Sequence, residues 1–202
     1  MAGVMWADWS AMSPALTVPT LDADPWRLRP FGPHDLGLVE QASADHHIPL
    51  ITSIPSVWTP EAGERYLDRQ ADRARSGEGW SFVIDDGRPG DDAKDGIGSI
   101  GLWRRDIEFG RASIGYWVIE PARRRGAITS SLKALSRWAL TEELGIERVE
   151  VHIEPWNEPS LRAAAAAGFQ REGVLRSWLK VGNGRKNLEV WSLLPSDLAA
   201  AG

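Results

Sequence analysis

The sequence predicts a mixed α/β domain on three observations. Strand-like runs form a meander in the first half, a strand–helix–strand–helix–strand order closes the second half, and 202 residues with 43% hydrophobic content suffice for one core. Net charge is −5, from 23 Lys and Arg against 28 Asp and Glu, so no overall basic field draws nucleic acid or acidic membranes and any basic cluster is local. The chain has no cysteine, which removes disulfides, thiolate metal sites and a cysteine nucleophile. No uninterrupted apolar span of about 18 residues occurs, and the first residues lack a basic segment followed by an apolar core. The expectation is a cytoplasmic monomer or homodimer with no nucleic-acid, membrane or metal partner.

Residues 1–25 mix Pro, Ala and Asp without a period and contain Met5 and Met12. They read as a flexible N-terminal extension ahead of a folded domain over 26–195, with 196–202 as a tail. The run WRLRPF at 26–31 predicts a first strand, and 33–44 a helix with Leu36, Leu38 and Val39 inward. A proline-rich loop over 46–59 ends at Thr59, a good N-cap, with Pro60 at the first helical position. That helix runs through Tyr66, Leu67, Gln70 and Ala74 to about Arg75. Strands follow at 80–84 and 97–103, joined by a turn-rich acidic loop over 85–96, and a further strand at 111–119 comes after a turn at Phe109 and Gly110.

The next helix carries Ile128, Leu132, Leu135 and Ala139 at helical spacing, and Gly145 is placed to close it. Residues 147–153 alternate, with Val149, Val151 and Ile153 on one face, so a strand follows and the strand–helix–strand order implies a parallel pair. Asn157 suits the cap of a second helix, Pro159 its first turn, and Gly168 its end. Strands at 169–176 and 188–194 close the fold around Gly182, Asn183 and Gly184.

The residues that point to chemistry lie at 116–129, YWVIEPARRRGAIT. A strand-like run stops at Pro121; Arg123, Arg124 and Arg125 follow; Gly126 opens a helix. A helix N-terminus carries roughly half a unit of positive charge, so arginines crowded beside it repel it unless an anion shares the site. With an anion present, the free N–H groups of the first turn and the guanidinium forks converge on the same oxygens. A solvated basic turn is the alternative on these residues alone. Neither a P-loop run nor a dinucleotide fingerprint occurs in the chain.

The order GYWV, Pro121, RRRG, amphipathic helix, EVHIEPWNEPS, AAGF and REGVLRSW resembles the GNAT superfamily of N-acetyltransferases, in the branch that holds the ribosomal-protein N-terminal acetyltransferases of the RimJ/RimL type. The resemblance spans residues 26–194. It implies a mostly antiparallel sheet with a central splayed parallel strand pair and flanking helices. It also implies acetyl-coenzyme A as co-substrate and a small-molecule or peptide amine as acceptor. By that resemblance, Trp117 and Val118 lie on the strand that hydrogen-bonds the pantetheine arm. The turn of Arg123, Arg124, Arg125, Gly126, Ala127, Ile128 and Thr129 wraps the pyrophosphate, Asn157 contacts the pantetheine region, and Ser160 hands a proton to the departing thiolate. As residue types alone, Asn157 is equally a helix cap and Ser160 an ordinary first-turn serine. The chain departs from the pattern at Ile128, where a small residue is usual, at Ser113, where a glutamate often precedes Ile-Gly-Tyr, and at Asn187, where the last hairpin carries an aspartate.

An amine must be neutral to attack a thioester, and an alkylamine with a pKa near ~10 is mostly protonated at neutral pH, so a base or a water chain is required. Glu108, Glu120, Glu154 and Glu189 are the nearby carboxylates, and spacing singles out none. His152 reads first as a structural histidine, and His46 and His47 as solvated loop residues. Of the eleven tryptophans most read as core, with Trp58 and Trp156 set apart as walls for an acceptor. Three functions stay open: an N-acetyltransferase, a catalytically silent acyl-coenzyme A-binding module, and a transferase using another acyl donor.

Overall fold

A computed structural model describes residues 16–86, 96–141 and 144–200 of the chain. The strands are β1 (Leu21–Ala23), β2 (Trp26–Pro30), β3 (Gly79–Asp85), β4 (Gly98–Trp103), β5 (Arg111–Val118), β6 (Arg148–Ile153), β7 (Gln170–Val181) and β8 (Gly184–Leu193). The helices are α1 (Leu36–Ser43), α2 (Ile48–Ile51), α3 (Pro60–Arg75), α4 (Ala127–Ala139), α5 (Glu158–Ala166) and α6 (Pro195–Ala200). The described strands form one sheet in the order β1-β2-β3-β4-β5-β6-β8-β7. Every neighbouring pair is antiparallel except β5 and β6. This is the mixed, mostly antiparallel sheet with one parallel pair that the sequence predicts.

The parallel register runs from Arg111 opposite Arg148 to Ile114 opposite Val151 and stops. Both strands continue beyond it, to Val118 and Ile153, so they diverge and leave an open V in the middle of the sheet. Backbone groups facing that gap are not used by the β5–β6 ladder.

The core forms where alternating strand residues meet helix faces. Leu28, Phe82, Ile84, Ile100, Leu102, Leu132 and Leu135 are fully buried, and each such side chain contributes about 1.5–3 kcal/mol relative to exposure. Thr59 caps α3 as expected, its hydroxyl accepting from the Ala62 N–H at 3.1 Å.

Several expectations change. Part of the stretch read as a flexible extension belongs to the sheet: β1 pairs with β2, the Leu16 N–H donates to the Ala74 carbonyl at 2.8 Å, and the Trp80 indole N–H to the Thr17 carbonyl at 3.1 Å. A three-residue strand is too short to show a period in sequence; residues 1–15 lie outside the described residues, as do 87–95 of the acidic loop. The expected tail starts a helical turn, α6, where Asp197 accepts from the Leu194 N–H at 2.9 Å. Helix α4 ends at Ala139, well before Gly145, and past its end the Thr141 hydroxyl donates to the Trp138 carbonyl at 2.9 Å. The two closing strands are longer than predicted and broken by register shifts between Arg171 and Gly173 and between Leu175 and Leu179.

Candidate active site

The V between β5 and β6 opens into a cleft of about 1140 Å³. Its walls are the C-terminal halves of those strands, the first turns of α4 and α5, and the segment around α2.

The arginine turn forms one wall, and the three guanidinium groups have different fates. Arg123 donates from Nε to the Val118 carbonyl at 3.2 Å and pairs through Nη2 with Asp45. Burial opposes the charge on Asp45, yet N–H groups of Ile48 and His47 and the Arg123 guanidinium hold its carboxyl below the ordinary range. Arg123 thus ties the end of β5 to the α1–α2 connection. Arg125 lies over the Trp26 ring at 5.0 Å. Arg124 is exposed, in the left-handed region with φ 62°.

Gly126 follows at φ 80° with open space where a Cβ would stand, so the backbone angle, not crowding, demands glycine there. Gly126 gives α4 no side-chain cap, and the first-turn N–H groups of a helix have no intrahelical partner. Ala127 is buried, while Ile128 and Thr129 are half-buried, and Ile128 packs against the core. The β-branched residue that breaks the family pattern therefore sends apolar surface inward. All of 122–129 line the cleft.

The facing wall is the start of α5. Asn157 caps it, Oδ1 accepting from the Ser160 N–H at 3.3 Å. Ser160 Oγ lies 2.7 Å from the Tyr116 hydroxyl on β5. Burial pushes the Tyr116 phenol up to about 12, with the Ser160 bond opposing it, so the ring keeps its O–H proton at neutral pH. Tyr116 is a residue the sequence reading missed. Its only local signal is its place in GYWV, and the contact joins positions 44 residues apart.

Trp117, next along the strand, faces the other way. Its side chain interacts with the Tyr66 phenol of α3, which burial pushes up to about 12 as well. On this side Glu154, just past β6, is 7% exposed. Its Oε2 accepts from the Trp156 indole N–H at 2.7 Å, and its Oε1 stands 3.8 Å from His47 Nε2. The His47 and Trp156 rings meet edge to face at 5.0 Å.

Trp156 joins the cleft; Trp58 does not. Trp58 instead stacks on α3, and a Cβ at Gly63 would come within 2.5 Å of its ring. Of the four carboxylates left open by the sequence, only Glu154 lines the cleft; Glu189 is taken by Arg171 at 2.8 Å. His152 also lines it, stacked on Trp178 at 6.4 Å, its pKa lowered by burial against the opposing pull of Glu150. Asn187 has a structural task, accepting from the Ser177 N–H at 2.8 Å where Ser177 takes φ 51° in the irregular part of β7. Among the described residues no group of three or more His, Cys, Asp or Glu could hold a metal ion, and no helix is long and apolar enough to cross a membrane.

A family model described as "Acetyltransferase (GNAT) domain" matches residues 26–170, well over half of the chain. The chain belongs to the GNAT acetyltransferase family. Within it, the chain is 32% identical over 103 residues to the uncharacterized N-acetyltransferase p20 of Bacillus licheniformis, covering 51% of this chain and 57% of that protein. The chain thus spans about half the length of the curated relatives it matches. Two solved structures share the fold along most of both chains. RimJ of Mycobacterium smegmatis, in complex with CoA-disulfide, has a TM-score of 0.74 at 23% identity and covers 92% of this chain and 94% of that one. The microcin C7 self-immunity acetyltransferase MccE, in complex with acetyl-CoA and AMP, has a TM-score of 0.74 at 15% identity and covers 91% and 98%. In this GNAT chain the family's splay and the uncapped α4 terminus meet at one cleft.

Proposed function

We propose that this GNAT protein is an N-acetyltransferase that moves the acetyl group of acetyl-coenzyme A to a primary amine, either a protein N-terminus or a small amine such as an antibiotic or amino acid. The observation that carries the reading is the convergence, on one cleft, of a splayed strand pair, an uncapped helix N-terminus flanked by arginines, and a hydrogen-bonded Tyr116–Ser160 pair. The fit to an acyl-coenzyme A is chemical. A pyrophosphate needs N–H donors and cations, which the 123–129 turn presents, and an extended amide-bearing arm needs an unpaired strand edge, which β5 presents at Trp117 and Val118.

Acetyl-coenzyme A supplies an activated acyl group whose leaving atom is a thiolate sulfur. The chain supplies the rest. Free N–H groups of the first turn of α4, with Arg124 and Arg125 beside them, hold the diphosphate. A backbone N–H near Val118 holds the oxyanion that develops on the thioester carbonyl. As the amine nitrogen bonds to the carbonyl carbon and the C–S bond breaks, Ser160 Oγ donates a proton to the sulfur, and the second proton shed by the nitrogen as the amide forms restores the serine hydroxyl. Tyr116 steadies the Ser160 hydroxyl. Asn157 sets the position of Ser160 through the cap of α5 and borders the pantetheine arm, and Trp156 forms an aromatic edge for the acceptor.

Thiol release from acetyl-coenzyme A over a panel of amines and N-terminal peptides tests the reading. Turnover on at least one class is expected, falling about 10- to 100-fold in Ser160→Ala. Coenzyme A that stabilises the fold while no acceptor turns over would leave a silent acyl-coenzyme A-binding module instead.

A further inference from the structure

We infer that Glu154 is the base that takes the proton from the incoming ammonium and that His47 carries that proton out to solvent. The inference rests on the acetyltransferase reading above and supplies the group that reading lacks. Transfer needs an acid at the leaving sulfur and a base at the attacking nitrogen. Tyr116 and Trp117, adjacent on β5, point to opposite sides of the sheet. The acid pair Tyr116–Ser160 occupies the α5 side, so the base is sought on the other, where Trp117 meets Tyr66 of α3.

Glu154 is the carboxylate there. It sits immediately beyond β6, at the mouth of the V, with a side chain 7% exposed. Its two oxygens have different surroundings. Oε2 is held by the Trp156 indole N–H at 2.7 Å, which fixes the carboxylate plane; Oε1 faces His47 Nε2 at 3.8 Å. His47 is itself fixed. Its backbone N–H donates to Asp45 Oδ1 at 2.8 Å, Asp45 is clamped by Arg123, and the ring is braced against Trp156. The His47 side chain is 22% exposed, so the proton moves outward, from the buried oxygen to the more open imidazole.

The steps balance. An acceptor R–NH3+ drawn to the buried carboxylate gives one proton to Glu154 Oε1 and becomes R–NH2, free to attack. Glu154 passes the proton to His47 Nε2 once the pair closes from 3.8 Å to hydrogen-bond distance, and His47 then releases it to bulk water. No oxidant or further reactant is involved. The charged and titratable groups facing this pair are Asp45 with its partner Arg123, His46 beside His47, His152 one step back along β6, and Arg162 on α5 at the cleft wall. Glu154 therefore also selects the substrate class: a cationic amine, delivered as ammonium.

The test is the pH–rate profile of Glu154→Gln, which keeps an acceptor for the Trp156 N–H and nearly the same volume. Expected at pH 7 is a fall in kcat/KM of about 100-fold, shrinking to within about tenfold as the pH nears ~10, where the amine is neutral without help. Melting temperature and coenzyme A binding should match the parent. His47→Gln should show a smaller defect with the same narrowing at high pH, and Glu154→Asp a partial return of rate. An E154Q rate equal to the parent's, or a deficit constant across pH with the H47Q deficit constant too, overturns the assignment while the acetyltransferase reading stands. If the parent protein itself transfers acetyl to no amine, both fall together.

Discussion

At the residue scale the site depends on a few contacts whose chemistry is separable. The hydroxyls of Tyr116 and Ser160 lie 2.7 Å apart in a site that keeps the phenol protonated, and in the proposed reaction Tyr116 acts through Ser160. Removing one hydrogen bond of this kind costs about 1.4 kcal/mol, or tenfold in rate. Tyr116→Phe should therefore lower kcat about tenfold and leave the KM for acetyl-coenzyme A unchanged. The double variant with Ser160→Ala should be no slower than Ser160→Ala alone, since the two residues form one unit. Steady-state kinetics on the two single variants and the double variant checks this; additive losses would make the tyrosine a separate contributor. The arginine turn was legible as a candidate site because its conflict is local, like charge beside a helix N-terminus. The hydroxyl pair was not, because it exists only once β5 and α5 are brought together. The same holds for Asp45 and Arg123, 78 residues apart, a contact that takes one of the three arginines away from the proposed anion site.

At the element scale, caps and periods carried the fold. Thr59 and Asn157 both cap as their side chains predict, and the alternation of 147–153 becomes β6. Sequence failed where pairing alone makes the element, in three-residue β1, and it set β7 and β8 shorter than the irregular hairpin they form around the predicted turn. That far edge of the sheet is held to β6 by charge. Arg148 on β6 reaches Glu150 at 2.6 Å and Glu172 on β7 through a two-pronged pair, and Glu172 also accepts from the Ser192 hydroxyl of β8 at 2.6 Å. The Arg148 and Ser192 bonds lower the Glu172 carboxyl from 4.5 to about 2. A carboxyl depressed in the folded state adds stability that is fully present above its unfolded value and is lost as pH falls toward its folded value. Because the Glu172 side chain is 45% exposed, solvent screening limits its contribution to about 1 kcal/mol or less. Glu172→Gln should melt slightly below the parent protein at pH 7, and the two curves should converge between pH ~4.5 and pH ~2. A gap unchanged across that window would remove ionisation from the account.

At the scale of the whole molecule, the proposed ligand ties together elements that the sheet leaves apart. Beyond Ile114 and Val151 the halves carrying β5 and β6 no longer share a ladder, so a molecule seated between the α4 and α5 termini binds only the folded chain and stabilises it by mass action. At a hundredfold excess over Kd that gain is about 2.7 kcal/mol, which for a chain of this size raises Tm by roughly 5–10 °C. The arginines divide this effect in a way a thermal melt can read. Arg124 is exposed, so Arg124→Gln should leave the unliganded Tm close to the parent's and reduce the coenzyme A shift. Arg123 joins the Val118 carbonyl to Asp45, so Arg123→Gln should lower the unliganded Tm as well, because Asp45 then loses its cation at the junction of α1 and α2. Raising salt toward 1 M shortens electrostatic reach to about 3 Å and should shrink the ligand-induced shift of the parent protein more than that of Arg124→Gln. Equal shifts in the parent and Arg124→Gln at every salt concentration would mean that Arg124 takes no part in holding the anion.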